Sequence, residues 1–300
     1  MRNPRVNPGL SECLSHVEAK GKGMNGSFFT SVWPGAAAVL LMTAMAPATV
    51  YHAELPVESY GDLSQQDVPG FGWSACGPTS ATNSMVYLQQ TYPELYGTSL
   101  VSPQSEDLDG DGSVDFYDDM IATVITLGSP AYMDTAALGH TPQCTFMWGE
   151  YLYIEQRAPG VTNYAGMCPY DWTYYDPPGW VEFADPTWQF LYDGLNEGAA
   201  MEIAVLNYDF GHYLSLHAFH WDDANDNGII DYKEDAWIGF VDAWDGLPST
   251  THIYHKSGAI WTEYSDTWIA LALATTPIPA PGGLALAVLA GLYGGGRRRR

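Results

Sequence analysis

Positive charge is scarce in this chain. Of 300 residues only 11 are Lys or Arg, and most of these lie at the ends, as Arg2, Arg5, Lys20, Lys22 and residues 297–300. Between them stand Arg157, Lys233 and Lys256 against 33 acidic residues, a formal balance of 30 negative charges. Such a surface repels nucleic acid and anionic membrane, and it favours cations. Cysteine is also sparse: Cys13 lies in the first segment, and Cys76, Cys144 and Cys168 follow it. An odd number of three makes a Cys144 to Cys168 disulfide, with Cys76 left over, the economical arrangement in an exported protein. No apolar run reaches the length of about 20 residues that spans a bilayer comfortably.

What is present begins with two short apolar segments at the ends. Residues 34–48 (PGAAAVLLMTAMAPA) end in small residues, with Lys20 and Lys22 upstream, and read as a secretory signal. Met24 offers an alternative start, and cleavage after Ala48 avoids placing Pro47 beside the cut, as cleavage after Ala46 would. At the other end a Pro-rich box at 277–281 precedes an apolar run at 282–296 and four arginines. This tail resembles the PEP-CTERM sorting signals of envelope-bearing bacteria, with PAP in place of PEP. A plain membrane anchor is the alternative. Either implies a secreted or surface location, envelope sorting machinery as a partner, and transient membrane anchoring before the tail is processed. The organisation expected is therefore leader at 1–48, one domain at 49–276 and tail at 277–300.

Within the domain, residues 73–90 (WSACGPTSATNSMVYLQQ) carry the strongest chemical signal. Gly77 and Pro78 punctuate the chain, and Ala81, Met85 and Leu88 then recur at helical spacing, so Cys76 falls at a helix N-terminus. Unpaired backbone N–H groups and the helix dipole stabilise a thiolate there. A cysteine nucleophile needs a base and an orienting group from elsewhere in the chain. Residues 211–222 (GHYLSLHAFHWD) alternate like a strand, and residues 237–246 (WIGFVDAWDG) form a second apolar strand ending in acid and aromatic residues. Unbroken period two would put His212 and His220 on one face of the first strand and His217 on the other.

Together these segments resemble the C39-like group of papain-like cysteine peptidases. The resemblance rests on CGPTS opening a helix, a glutamine about ten residues upstream, Gly211-His212 followed by Ala218-Phe219, and Asp242-Ala243-Trp244. Alanines at 218 and 243 replace the usual glycine and proline. The resemblance implies Cys76 as nucleophile, His212 as base, Asp242 as its orienting partner and Gln66, with Gln65 as neighbour and rival, in the oxyanion hole. It also implies an α+β papain-like fold, in which an N-terminal helix carrying the nucleophile packs on an antiparallel sheet. The expected activity is hydrolysis of peptide or protein substrates. The alternatives are an acyltransferase of transglutaminase type and a non-catalytic calcium-binding envelope or adhesion protein. The aromatic segment 170–180 (YDWTYYDPPGW) matches no motif and serves either a peptide groove or core packing.

Two stretches follow the twelve-residue pattern of EF-hand-type calcium loops. In residues 107–118 the ligand positions are Asp107, Asp109, Asp111, Ser113 through its carbonyl, Asp115 and Asp118, with Gly112 at the turn. In residues 223–234 they are Asp223, Asn225, Asn227, Ile229 through its carbonyl, Asp231 and Glu234, with Gly228 at the turn. Hard oxygen donors at alternating positions point to Ca2+, with Glu234 better suited than the shorter Asp118 to chelate through both oxygens. The second loop lies between the segments of His212 and Asp242, which leads to the expectation that it sets their geometry and the first loop mainly stability.

Overall fold

The structure, a computed structural model, describes residues 48–169 and 179–278. The segments expected to be a leader (1–48) and a sorting tail (277–300) fall almost wholly outside these residues, as does most of the aromatic segment 170–180. In chain order the elements are β1 (Thr49–Glu54), α1 (Cys76–Thr91), α2 (Pro93–Tyr96), α3 (Phe116–Leu127), α4 (Thr135–Leu138), α5 (Gln143–Arg157), β2 (Thr162–Met167), β3 (Val181–Glu182), α6 (Trp188–Asn196), β4 (Ala200–Leu206), β5 (Gly211–Asp223), β6 (Ala236–Asp242), β7 (Pro248–Lys256), β8 (Ala259–Thr262) and β9 (Thr267–Pro277). None of the described helices is long and apolar enough to cross a membrane.

Two long strands organise the sheet, β5 with 13 residues and β9 with 11. Each divides its length among neighbours. The first half of β5 pairs with β4, the second half pairs with β1, and β6 runs along the other edge. In the same way β9 pairs with β8, β4 and β2. Because β4 bridges β5 and β9, the ring β5-β6-β7-β8-β9-β4 closes into a six-stranded antiparallel barrel. Closure satisfies strand edges that an open sheet leaves exposed. Strands β1, β2 and β3 extend the sheet beyond the ring, and β2 with β3 is its parallel pair.

This architecture corrects the papain-like α+β expectation. The chain builds a mostly antiparallel sheet with a closed barrel, extra strands and few helices, not a nucleophile helix laid on an open antiparallel sheet. The closing strands are the reason the sequence misleads. β4 (AMEIAVL) and most of β9 are buried on both faces, so they read as continuous apolar runs without the alternation that marks a strand.

α1 is buried from Cys76 through Gln89 and packs against β4 and β5. A helix buried all round has no solvent face, so most of its polar side chains are small, and Ser80, Thr82, Asn83 and Gln89 find partners inside the protein. Ser80 and Ser215 hydroxyls meet at 3.1 Å, and Ser215 Oγ also donates to the Ser80 carbonyl at 2.9 Å, fastening α1 to β5. On another side, Asn83 accepts from Leu63 N at 3.1 Å and donates to Leu63 O at 3.2 Å, so α1 also holds the segment that precedes it.

β5 carries a bulge at His217, because Leu216 faces Phe240 while Ala218 faces Gly239. The extra residue resets the alternation. His220 therefore stands on the opposite face from His212, contrary to the unbroken period-two reading.

Candidate active site

Cys76 is the first residue of α1, preceded by the short 3-10 turn Gly72–Ser74. Gly77 is needed beside it, since a Cβ there would meet Thr141 Oγ1 at 2.6 Å. His212 opens β5 and Asp242 closes β6, and antiparallel pairing of these strands brings the two to the same end of the hairpin. The His212 ring, only 3% exposed, places Nε2 2.7 Å from Asp242 Oδ1. Its other partner is the Cys76 thiol. With Nε2 committed to the carboxylate, Nδ1 is left to face the sulfur. Three groups from three distant parts of the chain thus stand in one series, with the His212 to Asp242 hydrogen bond at its centre.

The electrostatics follow from this series. Burial alone pulls the His212 pKa down, but the hydrogen bond to Asp242, then the hydrogen bond and charge of Cys76, together raise it to about 9. At neutral pH the ring is therefore an imidazolium beside the Asp242 carboxylate. Asp242 is held below the usual carboxylate range: burial pushes it up, but the His212 bond and charge, the Trp244 N–H and the Tyr264 hydroxyl outweigh this.

Tyr264 is the participant that sequence reading missed. Its hydroxyl donates to Asp242 Oδ2 at 2.8 Å, and its ring lies nearly parallel to His212, with centroids 6.1 Å apart. Trp244 N donates to Asp242 Oδ1 at 2.8 Å. Asp242 therefore has both oxygens engaged, which fixes its plane and through it the imidazole. The only sequence clue was a tyrosine in the turn between β8 and β9, and nothing local ties that turn to Asp242.

The two glutamines separate clearly. Gln65 is 1% exposed, with Nε2 directed at the Trp73 carbonyl at 3.4 Å and Oε1 buried without a partner. Gln66 is exposed and donates to Trp244 O at 3.1 Å. Both lie on a turn fixed to the Asp242 side by Gln65 N bonding Ala243 O at 2.7 Å and Ser64 Oγ bonding Trp244 O at 2.9 Å. Gln65, the rival at the sequence level, is the one whose side chain reaches the residues leading into Cys76. His217 is remote from this arrangement: it lies buried against Tyr60 and Gly239, with both ring nitrogens unpartnered and its pKa lowered by burial. Cys168 Sγ donates to Gln143 Oε1 at 3.7 Å, Gln143 being the residue before Cys144.

No protein-family model matches the sequence, and no curated protein matches it.

The two acidic loops differ in readiness for a cation. In residues 107–118, carboxylate oxygens of Asp107, Asp109 and Asp118 lie within 4.8 Å of one another. Gly110 N and Gly112 N donate to the two oxygens of Asp107, and Gly112 adopts a φ of 94° that admits glycine readily. Asp109 accepts from Asp111 N, yet slight burial and the charges of Asp111, Asp118 and Asp107 raise its pKa overall, the mark of crowded negative charge. Asp111 accepts from Ser113, and Asp115 caps α3 through Tyr117 N, so these ligand positions stay within the same small loop. This donor set fits a hard divalent cation.

In residues 223–234 the frame is similar, with Asn227 N and Gly228 N donating to Asp223 and Asp231 N donating to Glu234. Its centre, however, is spanned by amide groups: Asn225 Nδ2 donates to Asp231 and Glu234, and Asn227 Nδ2 donates to Asp231. A cation there requires both amides to turn their oxygens inward, with the Ile229 carbonyl completing the set.

Position reverses the roles expected for the loops. Residues 223–234 connect β5 to β6 at the end of the hairpin opposite His212 and Asp242, about 30 Å along the strand. Residues 107–118 instead lead into α3, where Tyr117 OH donates to Asp67 Oδ2 at 2.7 Å and accepts from Ser64 N at 3.3 Å. That contact braces the turn carrying Gln65 and Gln66. It is the first loop, not the second, that leads into a hydrogen-bonded contact with this turn.

Proposed function

We propose that this chain is a secreted or surface-sorted cysteine hydrolase that cleaves peptide bonds through Cys76, His212 and Asp242. The observation that carries this reading is the His212 ring bonded to Asp242 at 2.7 Å while the thiol at the N-terminus of a buried helix acts on the same ring. The thiolate attacks the substrate carbonyl carbon, and the carbonyl electrons move to oxygen. The backbone N–H of Cys76 and the Gln65 amide are the donors for that oxyanion. The imidazolium then gives its proton to the leaving amine as the C–N bond breaks, and His212, now neutral, takes a proton from water that attacks the thioester. An amine in place of that water would make the same site an acyltransferase, and product analysis with a nucleophilic amine present separates the two.

The test is hydrolysis of a fluorogenic peptide set by full-length protein. Loss of the His212 proton removes the acid, so activity should fall as pH rises through about 9. A rate still rising with pH beyond that point would contradict the assigned role.

Tyr264 acts here as a positioning residue for Asp242. Tyr264→Phe should lower kcat roughly tenfold, about the worth of one hydrogen bond to a charged group, with KM little altered. Because Asp242 loses a donor that keeps its pKa low, the acid limb of the pH profile should also move upward. A smaller rate with an unmoved profile would reduce Tyr264 to a packing role.

In this reading calcium is structural, held by Asp107, Asp109, Asp111, Asp115 and Asp118 with the Ser113 carbonyl. When bound it neutralises crowded carboxylates and stabilises the folded state by linkage. Asp118→Ala should cut activity on the order of tenfold by loosening the Tyr117 brace, whereas Glu234→Ala should lower the melting temperature and spare most activity. Calcium titrations of rate and Tm for both variants check this, and activity loss in Glu234→Ala alone would restore the original order.

A further inference from the structure

The site is rimmed by exposed aromatic rings whose placement goes beyond what the hydrolytic series requires. Trp73 is 81% exposed, three residues before Cys76, and its ring meets Trp244 edge-on at 4.5 Å. Trp244 is held in turn by its backbone bond to Asp242. Phe210 lies two residues before His212, partly exposed, with its ring 5.8 Å from the imidazole. Beyond it Tyr208 is 87% exposed and touches Trp268 at 6.0 Å. Large apolar rings left in water beside a reactive centre mark a binding surface.

Carboxylates accompany these rings on both sides. Asp245 follows Trp244 and its charge reaches Tyr264, while Asp209 precedes Phe210 and Asp67 shares the turn of Gln65 and Gln66. No basic residue in the described chain answers them. Arg157 already stacks on Tyr153 at 3.4 Å, Lys256 stacks on Trp261 at 4.0 Å, and Lys233 lies in the loop remote from the site. An aromatic face with an adjacent carboxylate is the environment that a guanidinium or ammonium seeks, and this chain uses the ring half of it twice for its own cations.

Resting on the hydrolase reading, we propose that the rim of Trp73, Trp244, Phe210 and Tyr208 is a substrate subsite selecting basic peptides, with an Arg or Lys side chain near the scissile bond laid on an aromatic face. Unbalanced negative charge at Asp245, Asp209 and Asp67 steers such a segment toward Cys76 and disfavours acidic ones.

Two arms test this with full-length protein and peptides identical except for Arg, Gln or Glu at positions around the cleaved bond. In the kinetic arm, kcat/KM should be at least about tenfold higher for Arg than for Gln, with Glu lowest, and the preference should shrink as salt rises. Trp73→Ala should collapse the Arg to Gln ratio mainly through KM. In the binding arm, Cys76→Ala protein titrated with the same peptides should bind the Arg peptide about tenfold tighter than the Gln peptide. Hydrolysis or binding without charge preference, or a ratio that survives Trp73→Ala, overturns the subsite. Preferential binding without hydrolysis by the wild type would uphold the subsite and overturn the hydrolase.

Discussion

Replacing Cys76 with alanine is expected to lower peptide hydrolysis on the order of 10⁴-fold or more, because nucleophile and base act as a unit and loss of either removes the covalent route. The protein should still fold. Cys76 makes one small contribution to a large core, and the fastening of α1 does not pass through it: Ser80 with Ser215 and Asn83 with Leu63 hold the helix independently. His212→Ala should cause a comparable loss by removing both proton acceptor and donor. Circular dichroism and Tm, measured beside the rates, separate chemistry from unfolding. A Cys76→Ala protein that is folded and retains more than a few per cent of wild-type hydrolysis would remove the thiol from the mechanism.

A second large effect is expected far from the site, at two carboxyl groups sealed between α5, β4 and β9. Glu150 accepts from Thr275 Oγ1 at 2.9 Å through one oxygen while the other has no partner, and neither oxygen of Glu202 has one. Burial raises the Glu150 pKa to about 8 against the lowering effect of Thr275. Burial first, then the charge of Glu150, raise that of Glu202 well above the carboxylate range. Both groups are therefore kept protonated in the folded chain at pH values where an unfolded chain has lost these protons. The folded state binds more protons between about pH 4.5 and 8, so its stability falls as pH rises through that window, by about 1.4 kcal/mol per pH unit for each fully shifted group. Glu202→Gln and Glu150→Gln keep the shape and remove the titration. Each should raise Tm at pH 8 by several degrees relative to wild type, with little difference at pH 4.5. Equal Tm differences at both pH values would show that the carboxyls are not the source.

The site was more legible than the fold. Cys76, His212 and Asp242 each carried a local mark: a helix-opening CGP, a Gly-His at a strand start, and an acid at a strand end. Each mark belongs to an element terminus, and the structure places all three residues at such termini. The barrel left no comparable mark. β4 bridges β5 and β9 through pairings distant in sequence, and its side chains are buried on both faces, so neither periodicity nor turn chemistry reveals its partners. The bulge at His217 was hidden for a related reason, since it appears only when two strands are laid side by side. Tyr264 and the choice of Gln65 over Gln66 likewise depend on which turns converge in space. The loops were recognisable residue by residue, yet their relation to the site was reversed. Adjacency in sequence placed 223–234 near the dyad, whereas a 13-residue strand carries it to the far end of the hairpin.

In the proposed mechanism the Cys76 sulfur is a nucleophile activated by His212, and the check is to treat native protein with limiting iodoacetamide from pH 5 to 9 and map the modified cysteines by mass spectrometry. Cys76 should be alkylated first, should still react at pH 6, and should lose this reaction at low pH in His212→Ala. Protection of Cys76 while Cys144 or Cys168 is modified, or alkylation of Cys76 indifferent to His212→Ala, would contradict it.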